Sequence, residues 1–162
     1  MAPTAQVTIQ IDAPLSVVWN VMVDFPKYSE WNPFIVGIRQ GDAELRVGHQ
    51  FTLDVVWANG GKVASKEKVT RLSAPHAADG ETVAALEYQF DSVLAHLGLV
   101  TATREQTLKQ SAAGPTTYAS REVFHGLLNW GVPLAKVQAG FELHAKALKA
   151  RAELLARTPP RA

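Results

Sequence analysis

The sequence predicts an α+β domain: a seven-stranded antiparallel sheet, two short helices inserted after the first strand, and one long helix at the end of the chain. Three observations predict it. Apolar and polar residues alternate at the start in "AQVTIQID", as in a half-buried strand. The middle of the chain consists of further strand-like segments separated by breaks rich in Gly, Pro, Asn and Asp, as antiparallel meanders require. From about Gly131 to Arg157 the pattern changes to a helical apolar stripe.

Each element follows in order. Val7, Ile9 and Ile11 alternate with Thr8, Gln10 and Asp12, which places the first strand over Ala5 to Asp12. In "APLSVVWNVMVDF", Val17, Val18, Val21, Met22 and Phe25 recur at helical spacing, with Pro14 suited to the first turn and Asp12 or Ala13 near the cap. That helix ends near Asp24. Pro26 restarts the chain, "KYSEW" makes one more turn, and Pro33 ends it because the residue before a proline resists helical geometry. Six strands follow in "PFIVGIRQ", "QFTLDVVWANGGKVASKEKVTRL", "ETVAALEYQFD", "LVTATREQTLKQ" and "TTYASREVFHG", the second of these holding a hairpin at "NGG". "SAPHAADG", "SVLAHLG" and "SAAGP" read as the later turns. The final stripe is Leu134, Val137, Phe141, Ala145, Leu148, Ala152 and Leu155, with Pro133 in the first turn of the helix.

At 162 residues the chain suits one core and is short for two. Residues 1–157 are expected to form a single domain, with 158–162 as a disordered tail. Apolar residues make up 47%, charged residues 19%, and the net charge is +1, so neither disorder nor a nucleic-acid-sized basic field is indicated. Cysteine is absent, which excludes disulfides, thiolate metal sites and cysteine nucleophiles. The start lacks a basic stretch followed by an apolar run, and no span of roughly 18 apolar residues occurs. A cytoplasmic protein without stable membrane insertion is the expectation, as monomer or homodimer.

Pairing the strands on paper assigns faces. With "SAAGP" as the turn, Leu108 stands opposite Tyr118, Gln106 opposite Ser120, Arg104 opposite Glu122 and Ala102 opposite Phe124, while Glu105 meets Arg121 on the other face. One opposite-charge pair per face supports that register. Across "SVLAHLG", Leu86, Tyr88 and Phe90 fall beside Arg104, Ala102 and Val100. This aromatic-rich face is the expected interior. At "NGG", Phe51, Leu53, Val55 and Trp57 point inward; Val63, Ser65, Glu67 and Val69 join them for a three-residue loop and turn outward for a two-residue one.

"IDAPLSVVWNVMVDFPKYSEWNPFI" near the start, "EVFHGLL" before the long helix, and the order of the elements together resemble the START or SRPBCC superfamily, which includes polyketide cyclases and birch-pollen-allergen-type proteins. The resemblance spans almost the whole chain. It implies a helix-grip fold, in which a curved sheet and the long helix enclose a cavity and the two short helices close one end. Phe25, Tyr28, Trp31 and Phe34 would be packing anchors there.

An elongated cavity is then expected between sheet and helix, walled by Val55, Trp57, Leu86, Phe90, Leu108 and Phe124, with Trp31, Phe34, Leu134, Gln138 and Phe141 from the helical side. Its polar members are Arg104, Glu122, Gln106, Ser120, Tyr88 and Tyr118. A buried guanidinium needs a nearby carboxylate, and Glu122 supplies one with fork geometry. The pair can serve register alone. It can equally let Arg104 hold a ligand oxygen while Tyr88 or Tyr118 donates to another, or let Arg104 stabilise an enolate while a tyrosine or Glu122 moves the proton. In cyclases of the superfamily, the resemblance leads to an interior arginine and tyrosine.

Other motifs carry less. His49, His76, His96, His125 and His144 are scattered without ligand spacing, so neither a metal nor another cofactor is expected. His125 falls on the outward face. "NGGK" lacks the remaining glycine of a phosphate loop and reads as a turn, and Ser120 has no histidine partner. The expected partner is a small hydrophobic molecule. A cyclase or dehydratase and a chaperone-activator-like interaction module are the alternatives.

Overall fold

In the computed structural model, which describes residues 1–41 and 43–158, strand β1 (Thr4–Ile11) leads into α1 (Leu15–Val23), a three-residue 3-10 turn (Phe25–Lys27) and α2 (Tyr28–Trp31). Six strands follow: β2 (Ile35–Arg39), β3 (Gln50–Val56), β4 (Lys62–Ala78), β5 (Glu81–Phe90), β6 (Thr101–Gln110) and β7 (Thr116–His125). The single turn α3 (Val93–His96) joins β5 to β6, and α4 (Leu134–Arg157) ends the fold. All seven strands pair antiparallel in one curled sheet, in the order β1-β7-β6-β5-β4-β3-β2. This is the α+β helix-grip arrangement. Beyond Thr158 the expected tail lies outside the described residues.

The helical segment after β1 is fixed by its own polar groups as well as by burial. Phe25, Tyr28 and Phe34 are buried, and the Tyr28 hydroxyl donates to the Met22 carbonyl at 2.8 Å. Asn32, just before Pro33, accepts the backbone N–H groups of Phe34 and Ile35 at 3.0 and 2.9 Å. Its amide nitrogen lies 2.8 Å from His144 Nδ1 on α4 and must donate there, because its oxygen is already accepting. One side chain thus ties the α2–β2 corner to the long helix.

Several expectations need correction. The long helix begins at Leu134, not Gly131; Pro133 is its cap, and Asn129–Gly131 form a separate 3-10 turn. "SAPHAA" is not a turn but the second half of β4. Pro75 is tolerated there because it sits at a register irregularity between Ser73 and His76, where a missing N–H interrupts no regular ladder. The chain reverses at Asp79 and Gly80, whose φ values of 50° and 78° are those of a tight hairpin turn.

Across β5 and β6 the register is two residues from the expected one: Tyr88 faces Arg104 and Leu86 faces Gln106. A shift of two keeps every side chain on its face, so the hydrophobic pattern alone does not detect it. Between β6 and β7 the pairs are those expected, with Arg104 opposite Glu122. The "NGG" loop has three residues, closed by a Trp57 N–H to Gly61 carbonyl bond of 2.8 Å. Glu67 therefore pairs with Phe51 and faces inward. No helix among the described residues is long and apolar enough to cross a membrane.

Candidate functional site

Helix α4 packs chiefly on β1 and α1, so the inner faces of β3 to β5 are incompletely covered. The result is a cavity of about 280 Å³ between those strands, β6, β7 and the first half of α4. Phe34, Val55, Trp57, Phe90, Phe124 and Phe141 form much of its wall, and Ser65, Glu67, Tyr88, Arg104 and Glu122 are its polar members. Gly140 shapes one side. A Cβ on this residue would lie 2.2 Å from a ring carbon of Phe34, so only glycine lets that ring lie against the helix.

The alternation of β6 turns Arg104 inward, where it is 3% exposed. Its Nε donates to Ser120 Oγ and its Nη1 to the Tyr88 hydroxyl, both at 3.0 Å. The guanidinium carbon lies 4.1 Å from the centroid of the Phe141 ring, a cation–π contact from the helix side. Nη2 has no partner among the described residues.

The expected fork between Arg104 and Glu122 does not form. The two residues are cross-strand neighbours, yet no ion pair joins them among the described residues; Nε and Nη1 go to Ser120 and Tyr88 instead. On the outer face Glu105 reaches Arg71 at 3.6 Å instead of its register partner Arg121.

The carboxyl groups of the cavity are held toward their neutral form. Glu67, 5% exposed, accepts the Ser65 hydroxyl at 2.6 Å, and burial pushes it up to about 8 against that hydrogen bond. Burial likewise pushes Glu122 up to about 7, with Arg104 pulling it back. Burial also raises the Tyr88 phenol, so it stays a neutral hydroxyl.

Of the residues predicted to form the site, Phe34, Val55, Trp57, Phe90, Phe124, Phe141, Tyr88, Arg104 and Glu122 line this cavity together. Others lie elsewhere. Tyr118 donates to Gln106 at 2.8 Å in a buried pair beyond the cavity wall, and Ser120 is held by Arg104. Leu86 and Leu108 are fully buried core. Trp31 packs on Tyr28 and His144, with ring centroids 4.8 and 5.6 Å apart. Leu134 is only partly buried, and Gln138 is bound to the β1 backbone at Gln6.

Sequence reasoning missed Ala102, Val132, Pro133 and Val137 as lining residues, and left Glu67 open. It also missed His144, which is fully buried and stacks on Tyr118 at 6.1 Å. A signal existed: His144 follows Phe141 by three positions and precedes Leu148 by four, so it lies on the apolar stripe. Burial holds its pKa well below the usual histidine value, which leaves it a neutral acceptor for Asn32.

The sequence profile of a family described as polyketide cyclase / dehydrase and lipid transport matches residues 2–153. No curated protein matches the sequence. Solved structures do. One half of the di-domain ARO/CYC BexL, from the BE-7585A biosynthetic pathway, superposes with a TM-score of 0.64 at 15% identity; the match covers 97% of this chain and 50% of BexL. A START superfamily protein from Mycobacterium smegmatis gives a TM-score of 0.62 at 22% identity, covering 94% of this chain and 98% of that one. The major latex-like protein 151 of Panax ginseng gives 0.61 at 12% identity, covering 96% and 99%. At these identities the likeness is one of fold.

Proposed function

The chain belongs to the polyketide cyclase/dehydrase and lipid transport family of the START/SRPBCC superfamily, and from that premise we propose that it binds a small hydrophobic molecule, aromatic, polyketide- or lipid-like, in the cavity under α4. The observation that carries this reading is the wall itself. Rings from Phe34, Trp57, Phe90, Phe124 and Phe141 surround a space with few polar groups, the composition of a ligand pocket and not of a polar channel.

A fluorescent two-ring naphthalene sulfonate should bind the native protein at one site and be displaced competitively by one class of apolar compound. If neither the dye nor any apolar compound binds the folded protein, the reading fails.

A second reading, a cyclase or dehydratase, is favoured by one specific arrangement. Arg104 and Tyr88 are hydrogen-bonded to each other beside two carboxyl groups that titrate near neutrality, the range in which an acid–base group is most effective. In that reading Arg104 stabilises an enolate oxygen and Glu122, as carboxylate, takes the proton that leaves the adjacent carbon. Tyr118 has no part in it, since its hydroxyl is engaged by Gln106. Turnover that survives Arg104→Ala would remove this mechanism. The interaction-module reading requires a filled interior, which the cavity argues against, although Val93, Leu97, Leu127 and Trp130 do give the surface exposed apolar groups.

A further inference from the structure

The polar groups of the cavity are not matched in charge. Arg104 is a permanent cation buried against the Phe141 ring, and it retains one nitrogen, Nη2, without a partner among the described residues. Tyr88 accepts a hydrogen bond from Nη1, so its own O–H proton remains to be donated. The Ser65 hydroxyl is already given to Glu67. Neither carboxyl group compensates the guanidinium by contact. Glu122 stands across from it without an ion pair, and Glu67 lies on β4, with β5 between it and β6. A buried cation without a bonded anion is an unfavourable arrangement that an incoming anion relieves.

We propose that the ligand of this cavity is a compact apolar acid whose anionic oxygens are received by Arg104 and the Tyr88 hydroxyl. The proposal rests on the cavity being the ligand site and adds the chemical class of what enters it. Size sets the rest of the description. An engineered cavity of ~150 Å³ holds benzene, so about 280 Å³ accommodates one or two rings or a short folded chain, and not an extended polycycle.

The groups around the carboxyls make the binding proton-linked. The charged and titratable groups that act on Glu67 are Arg104 of β6, Glu122 of β7, Tyr88 of β5 and Asp91 just beyond β5. From β3 its partner is the uncharged Phe51, with His49 one inward position away, and α4 presents Val137 and Phe141 to the cavity. With Glu122 at about 7 and Glu67 at about 8 in the free protein, an entering anion raises both further, because like charges oppose ionisation. Below those values both groups are already neutral and the acid binds fully. Above them each must take up a proton on binding, so affinity falls as the pH rises, by up to about ten-fold per pH unit per group.

The test compares acids with neutral molecules of the same shape. Benzoate, naphthoate and decanoate are titrated calorimetrically beside their methyl-ketone counterparts acetophenone, acetonaphthone and undecanone. At least one acid should bind roughly ten-fold or more tightly than its ketone near pH 6.5, and should weaken toward about pH 9 with proton uptake measured in two buffers of different ionisation enthalpy. In Arg104→Gln the preference should vanish, and in Glu67→Gln the proton uptake should fall. The wild-type comparison stands even if Arg104→Gln does not fold. Ketones that bind as tightly as their acids overturn the proposal while leaving the cavity a binding site, and so does an acid preference indifferent to pH. Failure of all six compounds to bind removes the binding reading itself, and the proposal with it.

Discussion

Gly140→Ala should lower the stability of the fold by about 1–3 kcal/mol and weaken cavity binding in the same variant. The sign makes this informative. Alanine is the better helix former by up to about 1 kcal/mol, so propensity alone predicts stabilisation at this position inside α4. The added methyl would sit 2.2 Å from Cε2 of Phe34. That ring is confined by Trp57 and Phe141, with centroids 5.8 and 6.4 Å away, and its remaining free direction is into the cavity it lines. Urea unfolding reports the stability, and titration with the fluorescent dye reports the binding. A variant more stable than wild type with unchanged binding would show that Phe34 does not depend on the glycine.

The second large effect is on pH dependence. Glu67 has its carboxyl raised by burial from 4.5 to about 8. Between those values the folded state holds a proton that the unfolded state has released, so stability is fully present below about pH 4.5 and declines as the pH rises to about 8. The slope approaches ~1.4 kcal/mol per pH unit for one group. Glu122 adds a smaller decline ending at about 7. Glu67→Gln keeps the size of the side chain and a carbonyl oxygen for Ser65, but cannot ionise. It should therefore flatten the decline and raise stability above pH 8 by about 2–4 kcal/mol. Denaturation midpoints across that range decide it. Parallel curves for wild type and variant would mean that Glu67 ionises as freely folded as unfolded.

The parts of this molecule that could be read from sequence are those set by local pattern. Alternation in "AQVTIQID" and the stripe from Leu134 to Ala152 placed β1 and α4 to within a few residues, and the short "SAAGP" turn fixed β6 against β7, hence Arg104 against Glu122. Where a connection is longer, pattern is insufficient. The ten residues between Phe90 and Thr101 admit two registers that bury the same faces, and only tertiary packing selects the one joining Tyr88 to Arg104. Pro75 read as a break because a bulge is invisible in composition.

The site was legible as a set of inward residues and not as a network. Alternation brought Arg104, Tyr88 and Glu122 to one face, but which acceptor each guanidinium nitrogen finds depends on distances of a few tenths of an ångström. The same limit applies to Tyr118 and Leu108, which share the inward face but lie in the packed region instead of the open one. Where a helix lifts away from a sheet is a property of both surfaces together. Gly140, the smallest residue of α4 and the one that seats Phe34, shows no periodicity to announce it.

Filling the space is the most direct test that it serves as the binding site. Ala102 lines the cavity from β6, opposite Phe124, and Ala102→Phe adds a ring on the side chain that faces the void. The variant is predicted to be at least as stable as wild type, as cavity-filling changes commonly gain ~0.5–2 kcal/mol, and, titrated with the same two-ring naphthalene sulfonate, to lose dye affinity by about ten-fold or more. A folded Ala102→Phe protein that binds the dye as wild type does would contradict the account, because the ligand would then have to lie somewhere other than the space under α4.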